Sequence, residues 1–177
     1  MPGPYDDLLT VHALPSLAAN LRKVSERVVA RWDQAVNRFL PDADDLTTRQ
    51  VRDSIPRVLA RIADALASDE SGPTEVLYAE SVAHGQTRYH QSFNLEELIV
   101  EYRLLRRICV EELRQATGGA LTVTEVMAVD VGIDIALQQA VMAFVQHLCD
   151  PPDPRLVWPH HGKKGGEQGG GSPPSSS

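Results

Sequence analysis

Apolar residues recur three or four positions apart along most of this chain, in five runs separated by prolines, glycines and acidic clusters. That spacing predicts amphipathic helices. The first run, Leu14 to Leu40, places Leu14, Leu17, Leu21, Val24, Val28, Trp32, Ala35 and Phe39 on one stripe and stops at Pro41 and the Asp42–Asp45 cluster. The second opens at Thr47, in capping-box spacing with Gln50. It continues through Val51, Ile55, Val58 or Leu59, Ile62 and Leu66. Pro56 either kinks this helix or leaves a short turn ahead of its main part. After the polar break Ser68–Gly72, Pro73 suits the first turn of a third helix. Tyr78, Val82, Gly85 and Tyr89 lie on one line of it, the glycine marking a close approach by a neighbouring helix.

The fourth run has the cleanest periodicity: Leu95, Leu98, Tyr102, Leu105, Cys109 and Leu113. Asn94 and Glu97 form its capping box, and Thr117-Gly118-Gly119 ends it. Thr122 and Glu125 open a fifth helix reaching about Cys149, with Val126, Asp130, Ile133, Leu137, Val141, Phe144 and Leu148 as its stripe. Asp150-Pro151-Pro152 stops it. No run alternates with the period of a strand, and no repeat of about 20–50 residues is present. The expected fold is therefore all-α, a five-helix antiparallel bundle or a globin-like helical stack. The expected organisation is a flexible N-terminus at 1–13, a helical domain at 14–150 and a disordered tail at 151–177. Gly165 to Ser177 has nothing apolar to bury against the cost of ordering.

Composition narrows the function. The 177 residues suffice for one ordinary domain, and 42% hydrophobic with only 5% aromatic content suits a core of aliphatic helices. A net charge of -7 argues against nucleic-acid binding, which needs a basic face. The Arg103, Arg106 and Arg107 cluster is interleaved with glutamates and reads as a charged helix surface. Acid stands where a secretory signal has lysine or arginine. The most apolar stretch, Val123 to Val145, is broken by Glu125, Asp130 and Asp134, so no membrane span is expected and the location is read as cytoplasmic. Cys109 and Cys149 match no redox or metal spacing. His12, His84, His90, His147, His160 and His161 are scattered, so no metal, cofactor or catalytic set is expected.

One dense polar constellation remains, His84-Gly85-x-x-Arg88 on the third helix and Glu101-Tyr102-x-x-x-Arg106 on the fourth. Asp130 sits within the apolar stripe of the fifth. A buried unpaired ion costs several kcal/mol, so Arg88 or Arg106 is expected to pair with Glu101 or Asp130 across helices. Such pairs serve either as ties that fix helix register or as a polar pocket that senses a ligand or relays a partner's signal. An acid–base role lacks an accompanying nucleophile. Phosphotransfer through an exposed His84 is an alternative, although Arg88 stands where a small residue is needed. Haem ligation by His84 or His90 is another.

His84-Gly85-x-x-Arg88, Phe93, Leu95-x-x-Leu98-Ile99 and Glu101-Tyr102-Arg103-x-Leu105-Arg106 together resemble the N-terminal sensor domain of RsbR/RsbRD-type co-antagonists of the bacterial stressosome. Similar domains lie upstream of sensor histidine kinases. The resemblance covers Leu14 to Cys149, and its specific part is His84 to Arg106. It implies a helical input domain that dimerises, has no enzymatic activity and acts on a protein partner, a kinase or stressosome component. A co-antagonist would continue into an output domain and a kinase into its phospho-accepting helix. Here Pro151 and the Gly/Ser/Pro tail follow, so either a stand-alone sensor or the truncated sensor part of a histidine kinase is expected.

Overall fold

The structure is a computed structural model. It describes residues 13–40, 48–68 and 75–149, with the backbone alone at 48–53, 75 and 76. Five helices account for nearly all of these: α1 (Pro15–Phe39), α2 (Thr48–Ala67), α3 (Glu75–His90), α4 (Leu95–Ala116) and α5 (Val123–Cys149). No strand occurs among the described residues. The cap expected at Thr47, the Pro73 start and the 151–177 tail lie outside them, as does all but Ala13 of the 1–13 segment.

The local signals are realised where they can be seen. Asn94 accepts from the Glu97 amide at 2.9 Å while its own amide donates to Glu97 Oε2 at 2.7 Å. Thr122 and Glu125 make the same reciprocal pair at 2.8 and 3.2 Å. Gly118 and Gly119 take φ of 63° and 89°, the left-handed backbone that closes α4. Pro56 lies inside α2, which runs through it. The proline has no N–H for the carbonyl four residues earlier, and that single missing bond is tolerated because the flanking turns are held by tertiary packing.

Contacts fix the direction of each pair. Leu14, which caps α1, and Arg22 of α1 meet Leu66 and Asp64 of α2, and Arg27 and Trp32 meet Glu112 and Glu101 of α4. Ser54 and Arg57 of α2 meet His84 and Glu80 of α3. In each case one number rises as the other falls, so these pairs are antiparallel. The α3–α5 pair differs. Gly85 faces Ala140, and Tyr89 faces Phe144 and His147, so the two helices run parallel. The molecule is an up-and-down bundle whose neighbours follow in the order α1, α2, α3, α5, α4 and back to α1, with α2 also touching α5. Because α5 is inserted between α3 and α4, these two helices do not pack backbone to backbone. Long side chains fill the space between them.

Two expected stripes are displaced, and a third departs at its end. On α5 the buried residues are Ala128, Val129, Gly132, Ile133, Ile135, Ala136, Ala140, Ala143 and Phe144. Val126, Leu137 and Val141 are only half-buried and Leu148 is exposed. The reason is close approach. A Cβ on Gly132 would meet Ile62 Cγ2 at 2.9 Å, and one on Gly85 would overlap the Ala140 carbonyl. Small residues therefore face the core and several large ones face outward. On α3 the buried line is Leu77, Ser81, His84 and Arg88, while Tyr78, Val82 and Tyr89 are half-buried. At the end of α1, Val36 takes the core position and Phe39 is exposed. By length and composition α5 could cross a membrane, with a mean hydropathy of 1.5 over its best window, but half of that window is buried inside the bundle.

Candidate functional site

The gap between α3 and α4 is filled by a sealed polar cluster. Arg88 and Glu101 form a two-pronged pair: Arg88 Nε donates to Glu101 Oε2 at 2.8 Å and Nη2 to Oε1. Their side chains are 2% and 1% exposed. Arg88 also donates to Gln91 Oε1 at 2.9 Å, and its guanidinium lies 4.3 Å from the centre of the Phe93 ring. The turn between the helices supports this geometry. Ser92 adopts φ 60°, and the Phe93 amide donates to the Arg88 carbonyl at 3.1 Å. This reverses the chain just where Phe93 must fold back over Arg88.

His84 has no exposed surface. Its Nδ1 lies 2.8 Å from Ser54 Oγ on α2, and its Nε2 lies 3.4 Å from Glu101 Oε2. A carboxylate only accepts, so the ring proton belongs on Nε2 and Nδ1 accepts from the Ser54 hydroxyl. Tyr102 packs edge-on to His84 at 5.5 Å. Burial first, and the Glu101 charge second, push its phenol far above the ordinary range, so it stays protonated. His84 Nε2 makes no well-formed hydrogen bond, and the Tyr102 hydroxyl faces Ser81 on α3 in a contact too poorly aligned to count as a full one, which pulls the phenol slightly back down. From α1, Trp32 Nε1 donates to the backbone carbonyl of Glu101 at 3.1 Å. Four helices thus meet at one carboxylate and one imidazole.

His84, Gly85, Arg88, Glu101 and Tyr102 of the sequence constellation are brought together here. Gly85 contributes by letting α3 touch α5, not by binding. Arg106 and Asp130 are not part of the cluster. They form a separate α4–α5 tie, with Arg106 Nε 3.8 Å from Asp130 and Nη2 paired with Asp134. The Arg106 and Asp130 side chains are about one third exposed, so Asp130 stands at the margin of the core rather than within it. Asp130, after burial itself, helps push the Cys109 thiol up to about 12, which leaves that cysteine unreactive. The two ion pairs left open by the sequence resolve as Arg88–Glu101 and Arg106–Asp130/Asp134.

Sequence reasoning missed Ser54, Ser81, Gln91 and Trp32 as members. Ser81 lies on the same line as His84 and Arg88, a signal that was available. Ser54 carried none, since only folding brings α2 there. A second set was also missed. Glu112 of α4 accepts from Arg27 Nε and Arg31 Nη1, each at 2.8 Å, and Glu111 accepts from Arg31 and Arg107. Arg27 first and Arg31 second hold the Glu112 carboxyl below the usual carboxylate range, and Arg107 with Arg31 does the same for Glu111.

Chemically the cluster is a tie and not a pocket. An open groove of about 420 Å³ lies elsewhere, lined by Ser25, Glu26, Val29, Ala30, Asp33, Gln34 and Pro56. None of the cluster residues lines it. Phosphotransfer through His84 required an exposed imidazole, and this one is sealed with a partner at Nδ1. Among the described residues no group of three or more His, Cys, Asp or Glu converges as a metal centre would.

These features define a small all-α bundle whose densest buried polar chemistry joins α3 to α4. The profile of the family described as the RsbT co-antagonist protein rsbRD N-terminal domain matches residues 24–155, well over half of the chain. The chain belongs to that family, a family of regulatory signalling input domains. No curated protein and no solved structure matches it.

Proposed function

We propose that this chain is a non-catalytic, cytoplasmic input module of a stressosome or partner-switching pathway, working as a homodimer through contacts with a kinase or stressosome component. The observation that carries the reading is the sealed Arg88–Glu101–His84 cluster inside a domain of the co-antagonist family. A bundle relays a signal when it has two packings and a partner prefers one. The cluster suits this role: α3 and α4 are joined through side chains rather than backbone contact, and His84 Nε2, 3.4 Å from Glu101, keeps bonding capacity for a second arrangement. The homodimer reading draws on α5, where Val123, Met127, Met142, Val145 and Leu148 present large apolar side chains to solvent.

The test is a stress-response reporter in the native host with the chromosomal copy replaced by Arg88→Lys or Glu101→Gln. The expected result is a shifted basal or induced output, with helical circular dichroism retained in the purified variants. Output identical to wild type from both folded variants would refute the role. Light scattering on Met127→Glu/Met142→Glu checks the dimer separately, and a dimer unaffected by these charges removes α5 as its interface.

A further inference from the structure

Two histidines that are far apart in sequence, His90 and His147, meet where the C-terminal turns of α3 and α5 lie side by side. Their ring centroids are 5.6 Å apart with the planes at 84°. Tyr89 lies 5.5 Å from His147 and 5.6 Å from Phe144. Apolar packing accounts for Tyr89 and Phe144. The two imidazoles take the same edge-on spacing as Tyr89 and Phe144, but carry ring nitrogens where those two carry only carbon, and His90 is exposed.

The His147 ring is oriented. Its Nδ1 lies 2.9 Å from the Ala143 carbonyl. A carbonyl only accepts, so Nδ1 carries the proton and Nε2 keeps its lone pair. Backbone carbonyls set metal-binding histidines in this way, fixing the tautomer and the ring direction. Two imidazoles on one tetrahedral ion, with metal–nitrogen distances of about 2.0–2.1 Å, put their ring centroids about 5 Å apart. The observed separation is close to that. The exposed His90 ring can turn about χ2, a broad torsion for this side chain.

The geometry points to a divalent transition-metal site formed by His90 and His147, clamping the C-terminal ends of α3 and α5. Nitrogen ligands select Cu²⁺ and Zn²⁺ over Mg²⁺ and Ca²⁺. Water completes the coordination, since no third His, Cys, Asp or Glu of the described residues joins the pair. The clamp lies two residues beyond Arg88, so a bound ion holds α3 in the arrangement that pairs Arg88 with Glu101. The site rests on ring geometry alone and stands whether or not the bundle signals.

Calorimetric titration of the full chain with Zn²⁺ at neutral pH tests this, alongside a His160→Ala/His161→Ala variant that removes the tail histidines. The expected result is one ion per chain in both proteins and a Tm raised by several degrees at saturating metal. His90→Phe, which keeps a ring in place, and His147→Ala should each weaken binding by at least about tenfold. Binding that disappears with the tail histidines overturns the proposal. So does binding unchanged in both ring variants, or no binding tighter than millimolar, which would leave an aromatic cluster only.

Discussion

Glu101 and Glu112 stand eleven residues apart on α4, about three turns along one face of the same helix. Each carboxylate is buried and each takes two guanidinium donors, yet they sit in opposite physical regimes. Glu101 meets an arginine and a histidine whose side chains are 2% and 1% exposed. Glu112 meets Arg27 and Arg31, which are 55% and 40% exposed. At Glu112, water stabilises the arginines whether or not the glutamate is present. At Glu101 no water reaches Arg88, and Gln91 and Phe93 supply no counter-charge. The difference teaches that burial of the partner, rather than the number of hydrogen bonds, decides what an ion pair does for a fold.

The largest effect should follow from Glu101→Ala, which strands Arg88 without a counter-ion. Urea unfolding is expected to show a loss of about 3–5 kcal/mol. The paired replacement Arg88→Met/Glu101→Leu should recover most of that loss. If the pair is as damaging as the single change, cavity formation outweighs charge at this site and the comparison fails. Glu112→Ala should cost only about 1 kcal/mol, because its arginines stay solvated. Salt at 1 M, with a Debye length of about 3 Å, should shrink the Glu112 effect and leave the Glu101 effect nearly intact.

Acid separates the two sites further. Glu112 and Glu111 are held below their ordinary range by arginine, so the stability they contribute is present above the unfolded-state value near 4.3. That contribution is lost as pH falls through the lower folded-state value. Denaturation midpoints measured from pH 6 down to pH 3 should therefore fall less steeply in Glu112→Gln than in wild type. Equal slopes would mean that the α1–α4 arginines do not favour the ionised carboxylate. The smallest expected change is Tyr102→Phe, within about 0.5 kcal/mol, since the hydroxyl has only a poorly aligned contact with Ser81 to lose. A loss of 2 kcal/mol would reveal a bond that tightens in solution.

The five helices, the caps at Asn94/Glu97 and Thr122/Glu125, and the glycine stop after α4 were legible in the sequence, because each depends on residues within one or two turns. The α4 stripe was legible too: its apolar residues occupy one face, and the buried set includes Leu98, Tyr102, Leu105, Cys109 and Leu113. So was the need for charge pairing, since a buried ion requires a partner wherever it lies.

The inward face of α5 was decided by tertiary structure. That helix is apolar nearly all round, so periodicity cannot orient it, and the close approaches of Gly85 to Ala140 and of Ile62 to Gly132 select the small residues instead. On α3 the deepest line is polar, Ser81, His84 and Arg88, and hydrophobicity points away from it. Which arginine meets which acid, and the meeting of His90 with His147, depended on the parallel insertion of α5 between α3 and α4. Local chemistry along the chain determined the helices and their ends. Only the packing of one helix against another, a matter of side-chain size and shape across long sequence separations, determined which of their faces meet.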